Sequence, residues 1–176
     1  MTMADTIAVM NQGVIEQLGA PADLYDSPAT TFVSNFLGQS NLVTAEVVGR
    51  DGEDVVVDAH GSKLGAPVSR ARRTDGTVWV GVRPEKVFLA RSGSETADGS
   101  NLLGGGTVSD VSFIGVSTQY LVRMPWGQEL QVFEQNTGRR RIFRYGDQVE
   151  LSWRPEYAFL LDHEQDASAG SQIEDE

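Results

Sequence analysis

The sequence predicts a mainly β protein, a small barrel or paired barrels made from two tandem strand repeats. Three observations predict it. "VGVRPEKVFLA", Val80 to Ala90, and "LSWRPEYAFLL", Leu151 to Leu161, are versions of one phrase, with their Arg-Pro-Glu cores 71 residues apart. Asn41-Leu42 and Asn101-Leu102, 60 residues apart, open the two blocks that lead to those phrases. Within each block the apolar residues recur with period two, as they do along half-buried strands. Five strands alone cannot easily bury both faces, so two such units sharing one core is the stable arrangement. Closure into a barrel also removes unpaired edges.

"DTIAVMNQGVIEQLG" reads as a β-hairpin: Ile7 and Val9 alternate with their neighbours, Asn11-Gln12-Gly13 turns the chain, and Val14 and Ile15 begin the return. Pro21 suits the first position of a short helical turn through Tyr25. Ser27 is placed to cap a second helix with Pro28 at its first position. There Phe32, Val33, Phe36 and Leu37 form an apolar stripe, which Gly38 stops.

From Asn41 the period changes to two. Val43, Ala45 and Val47 lead to a hairpin at Asp51-Gly52, with Val55 and Val57 on the return strand. Residues 61–76 read as loop with one short strand. "TVWVGVR" then places Val78, Val80 and Val82 on one face, and 91–100 is a flexible connection. The second block repeats the order: a long strand through "GGTVSDVSFIG", then "VSTQYLVRM", a Pro125-Trp126-Gly127 loop, and "QELQVFEQN". After the basic loop "RRRIFRYGD", "QVELSWR" alternates cleanly, with Val149, Leu151 and Trp153 inward. The tail from Asp162 carries six acids and no lysine or arginine, and disorder is expected over 163–176.

The repeated phrase is a structural corner. Proline holds the residue before it extended, so Arg83 and Arg154 end their strands. Pro84 and Pro155 lack an N–H and stop the ladder. Glu85 and Glu156 sit next in line, where a carboxylate can accept from free N–H groups. Neither corner carries a base, a nucleophile or a metal-ligand set, so no catalytic role is assigned to Arg83, Pro84, Glu85, Arg154, Pro155 or Glu156.

Composition narrows the function. The 14 basic and 25 acidic residues give a net charge of −11, which disfavours broad binding to nucleic acid or anionic membrane. There is no cysteine, hence no disulfide or thiol chemistry. No apolar run reaches the ~20 residues of a membrane span, and "MTMADTIAVM" has no basic lead or long apolar segment of a secretory signal. A soluble, cytoplasmic protein is expected. No Gly-x-x-x-x-Gly-Lys-Ser/Thr phosphate loop and no Gly-x-Ser-x-Gly elbow occurs. Gly104, Gly105 and Gly106 lie in a β pattern and suit a bulge. His60 and His163 stand apart as surface residues without the spacing of a metal site. Arg139-Arg140-Arg141, with Phe143, Arg144 and Tyr145, mixes cations with aromatics as single-strand binders do. Against the acidic whole, an interface or a solvated loop is the better reading.

"ADTIAVMNQGVIEQLGAPADLYDSPATTFVSNFLGQSN" resembles the final stretch of the nucleotide-binding domain in ATP-binding subunits of ABC importers. Gly19, Pro21, Leu24, Tyr25, Pro28, Phe32, Val33, Phe36, Leu37, Gly38 and Asn41 carry that likeness. The remainder of the chain, up to the acidic tail, is similar to the transport-associated OB (TOBE) domain, whose repeats end in phrases like "VGVRPE" and "LSWRPE". "DVSFIGVSTQYLVRMPWGQELQVFEQN" looks most like the spermidine/putrescine-type subunit.

The resemblance implies an OB-like barrel at 41–162, with repeats at 41–90 and 101–161, after a remnant of the nucleotide-binding domain at 1–40. It implies a non-catalytic regulatory and dimerisation module, with partners in a second ATPase subunit and in transmembrane permease subunits at the inner face of the cell membrane. The family's P-loop, signature motif and switch histidine match no position here, so ATP and Mg belong to a motor domain outside this sequence and no cofactor is expected within it. Hairpin residues Ile7, Val9, Val14 and Ile15 would face that motor domain, and are expected to pack in a dimer or to move. The alternatives are a free-standing sensor of a polyamine or an oxyanion, and an OB-type nucleic-acid binder using 139–145.

Overall fold

A computed structural model describes residues 3–138 and 142–171. It is mostly β, with the OB-like architecture the repeats call for. A two-stranded hairpin, β1 (Ile7–Asn11) and β2 (Val14–Gly19), precedes two short helices, α1 (Pro21–Asp26) and α2 (Thr31–Phe36). The first repeat supplies β3 (Asn41–Asp51), β4 (Asp54–Ala59), β5 (Ser62–Pro67), β6 (Thr77–Val82) and β7 (Phe88–Arg91). The second supplies β8 (Asn101–Ile114), β9 (Ser117–Arg123), β10 (Glu129–Gln135), β11 (Gln148–Trp153) and β12 (Phe159–Asp162).

The two five-stranded sheets run β12-β6-β3-β4-β5 and β7-β11-β8-β9-β10. Matching the repeats strand by strand makes these the same order, with one exchange: each repeat's last strand lies in the other repeat's sheet. Phe159 pairs with Gly81, and Phe88 pairs with Ser152. The Arg-Pro-Glu corner makes the transfer. Arg83 and Arg154 share an extended backbone (φ −72, ψ 142 and φ −72, ψ 137), and each proline opens a single 3-10 turn, Pro84–Lys86 or Pro155–Tyr157. Side chains of both repeats fill one core, including Val57, Leu64, Val80, Leu103, Val132, Leu151 and Trp153.

Two buried asparagines join the sheets reciprocally. Asn41 donates from Nδ2 to Gln131 O (2.8 Å) and accepts at Oδ1 from Gln131 N (2.8 Å). Asn101 does the same with Gly65 O (2.9 Å) and Gly65 N (2.7 Å). Each amide mimics a strand partner, satisfying both backbone groups of a residue on an outer strand of the opposite sheet. At Gly104–Gly106 the β11–β8 register shifts, as the bulge reading expects, and Gly105 takes φ +80 under Pro125.

Three local expectations change. Ser27 does not cap the second helix. Thr30 does, accepting from Val33 N at 3.2 Å, because the chain stays non-helical past Pro28 and α2 starts three residues later. The hairpin's inner face has a partner within the chain: Val9 is buried and Ile7 half-buried against Leu24, Phe32, Val33 and Leu37, while Val14 and Ile15 face outward. Residues 163–171, expected to be disordered, lie as hydrogen-bonded turns against α2. Asn35 Nδ2 donates to Ala167 O (2.8 Å) and Ala169 O (2.9 Å) there. Their backbone and small side chains make these contacts, which a count of acids does not register. Residues 172–176 lie outside the described residues.

Candidate functional site

The first corner is built around a buried cation. Arg83 is 3% exposed. Its Nη1 donates to Ser34 O (2.6 Å), Gly38 O (2.8 Å) and Ser40 Oγ (2.7 Å), and its Nη2 donates to Tyr25 O (2.9 Å). Tyr25 O and Ser34 O belong to the last turns of α1 and α2, whose carbonyls have no intrahelical donor. One guanidinium, held flat by its fork geometry, therefore satisfies the C-terminal ends of both helices where positive charge is favoured. The Tyr25 ring lies under it, 4.1 Å from Cζ to the ring centroid. Burial lowers the pKa of Arg83, and nearby Tyr25, Glu85 and Asp26 oppose that shift.

Glu85 completes the corner by accepting the hydroxyl proton of Tyr25 in a hydrogen bond. Burial first, and then this bond to a carboxylate, push the Tyr25 phenol up to about 12. Arg83 and Glu85 thus both hold the helical segment at Tyr25, and Pro84 between them is buried.

The second corner holds nothing comparable. Arg154 Nε donates to its own Glu156 Oε1 at 2.8 Å, with the two side chains 66% and 52% exposed. A cleft of about 570 Å³ opens beside them, lined by Asp54, Pro67, residues 97–100 and Pro155. Lys86 of the first corner sits 4.5 Å from the ring centroid of Tyr157 in the second, so the two corners are neighbours. The structure brings together the first triplet with Tyr25 and α2, and leaves the second as a surface ion pair.

A second cleft, about 460 Å³, lies between residues 35–40, Gln131 and the turns at 167–171. His60 stacks on Trp126 (3.9 Å between centroids) and His163 on Trp79 (4.3 Å). Among the described residues no group of three or more His, Asp or Glu is placed to hold a metal ion. None of their helices is long and apolar enough to cross a membrane. Arg139, Arg140 and Arg141 lie outside the described residues. Of their neighbours, Phe143 is buried against Tyr120 and Tyr145 is exposed.

Sequence reasoning marks Asn41 and Asn101 as the start of each repeat but assigns them no contact. Their recurrence at equivalent positions is the available signal. Tyr25 enters as the end of a short helical turn and as an anchor of the family likeness. No local pattern links it to Arg83, 58 residues away.

Residues 80–161 match the TOBE domain family. The chain carries a TOBE domain. Over most of its length it is similar to part of import ATP-binding proteins named for spermidine and putrescine. Its relatives include the spermidine/putrescine import ATP-binding protein PotA of Thermobifida fusca, 38% identical over 162 residues, which are 92% of this chain and 41% of that protein. The protein of the same name from Pseudomonas aeruginosa strain UCBPP-PA14 is 38% identical over 92% of this chain and 45% of its own length. The chain spans less than half the length of these curated relatives. Among solved structures, the cytoplasmic molybdate-binding protein ModG, with molybdate bound, superimposes with a TM-score of 0.57 at 19% identity. That match covers 68% of this chain and 94% of ModG, and the likeness is one of fold. The TOBE domain here couples its first corner to the helical segment before it, and that coupling is what the site can do.

Proposed function

We propose that this chain is a non-catalytic regulatory and dimerisation module of the ATP-binding subunit of an ABC importer for polyamines. In this reading residues 1–40 are the end of the nucleotide-binding domain and 41–162 are the TOBE domain. ATP and Mg act in the motor domain that these residues follow, and no cofactor binds within the chain. Two copies pair through this region at the cytoplasmic face of the membrane, beneath the permease subunits. The relatives named for spermidine and putrescine import support the substrate class.

The single observation that carries the proposal is the grip of Arg83 and Glu85 on α1 and α2. A barrel fastened in this way to the end of a motor domain moves with it, so a contact between two barrels is felt by both motors. The test places Arg83→Ala in the full-length subunit of the assembled importer. Polyamine uptake per ATP hydrolysed is expected to fall several-fold while hydrolysis itself continues. Unchanged coupling would overturn the proposal.

A second reading, a module that senses a small ligand, is favoured by the two open clefts and by the net charge of −11, which suits a polycation better than an oxyanion. Thermal-shift measurements with spermidine, putrescine and molybdate separate the two. A shift with one of them supports sensing.

A further inference from the structure

We propose that the segment running from the last residue of β12, Asp162, to Ser171 is a releasable strap that fastens the helical segment to the barrel, with Gln165 as its buckle. Two sets of bonds leave this segment in opposite directions. Toward the barrel, Asp162 accepts from Arg73 Nη1 (3.0 Å), His163 stacks on Trp79 and meets Thr44 Oγ1 (3.2 Å), and Gln165 O accepts from Trp79 Nε1 (3.0 Å). Toward the helices, Gln165 Oε1 accepts from Thr31 N (3.0 Å), and Ala167 O and Ala169 O accept from Asn35 Nδ2 (2.8 and 2.9 Å). Gln165 thus holds Trp79 of β6 with its backbone and the first amide of α2 with its side chain. Thr31 N–H is one of the helix's orphan donors, so the strap completes α2 from outside its own sequence.

Close fit at the far end supports a defined closed position. A Cβ at Gly170 would lie 2.5 Å from Phe32 O, and Gly170 takes φ +82. Yet no residue from 162 to 171 is fully buried. A segment held by surface hydrogen bonds, with little apolar burial, belongs to the part of a structure that opens locally without global unfolding. Arg83 holds the helices from the side of the corner and the strap holds α2, so strap release leaves the helical segment tied through Arg83, Glu85 and Arg72, whose Nη2 donates to Ser27 O (2.9 Å) and whose Nε donates to Pro28 O (3.4 Å). The strap's existence stands apart from the transporter reading. Its consequence, a graded stiffness between motor and barrel, rests on that reading.

Amide and indole hydrogen exchange of this chain tests the strap directly. In Gln165→Ala, Thr31 N–H and the Trp79 indole N–H are expected to exchange together, each at least tenfold faster, although the Trp79 bond goes to the Gln165 backbone and is not itself deleted. Acceleration at Thr31 alone would overturn the proposal, because a single lost bond explains it. Asn35→Ala, which removes two other bonds, is expected to release the same Trp79 proton. Unchanged Trp79 exchange there would equally overturn it. Protection of core amides at Val132 and Leu151 reports that both variants stay folded. Failure of the coupling experiment on the assembled importer, with these exchange results intact, would sink the motor reading and leave the strap standing.

Discussion

Arg83 and Arg154 occupy equivalent positions in the two repeats, with nearly the same backbone angles, and their fates diverge. One is buried and shared among the carbonyls of two helices. The other lies in solvent and pairs with a glutamate two residues on. Glu85 and Glu156 diverge in step, the first accepting from Tyr25 and the second from its own arginine. The backbone device, an extended arginine followed by a proline turn, is therefore what the fold requires twice. The side-chain chemistry of the corner is used once, where a helical segment arrives to receive it.

Substitution at the two arginines is the strongest way to break this comparison. Arg83→Ala removes the donors of several buried carbonyls and is expected to destabilise the chain by about 3–5 kcal/mol, as when one side of a buried polar pair is deleted. Arg154→Ala deletes an exposed ion pair and is expected to cost about 0–1 kcal/mol. Denaturant titration of the two variants side by side measures both. Equal losses would mean that the corners do the same work.

A smaller contrast lies one strand over. Phe159 is buried with its ring over Gly81, where a Cβ would lie 2.0 Å from the ring, an aromatic side chain filling the space a strand glycine leaves. The equivalent Phe88 is 45% exposed beside Ser152. Gly81→Ala is expected to destabilise by about 1–3 kcal/mol through overpacking. Ser152→Ala is expected to change stability by about 0.5 kcal/mol or less. The ratio of the two thermal shifts sharpens the picture of one tight and one loose strand transfer.

The smallest expected effect is a titration. Tyr25 has its phenol raised above the ordinary value of 10.0, to about 12, so the folded state favours the protonated form. The stability this confers is complete below pH 10, and it is lost as pH rises from 10 toward 12. Alkaline unfolding curves of the chain and of Tyr25→Phe are expected to converge across that window, because the variant has no phenol to ionise.

Much of this architecture is legible in the residues. The tandem repeat, the corner phrase, most hairpins and the likeness to an importer subunit rest on patterns with short periods or fixed spacing, which a linear reading detects. Pro125-Trp126-Gly127 is such a case: its three-residue loop closes with Gly127 at φ +90 and Gly127 N bonded to Met124 O (2.9 Å). The strand exchange is not legible, because β7 and β12 carry the same alternation whichever sheet accepts them. The difference between Arg83 and Arg154 is hidden for a related reason. It depends on where α1 and α2 come to rest, and nothing within either eleven-residue phrase records that. The strap is masked by its own composition, since backbone carbonyls, the Gln165 amide and the His163 ring bind it alongside the Asp162–Arg73 ion pair, and a count of acids registers little of that.

The crossing of β7 and β12 makes the two repeats mutually dependent. A chain cut within the connection at 92–100 would leave each half missing the outermost strand of its sheet and holding the strand that completes the other. Two copies of one repeat, each lending its last strand to the other, would reproduce the barrel's outline. The present single chain is, in topology, that handshake made permanent by a covalent link.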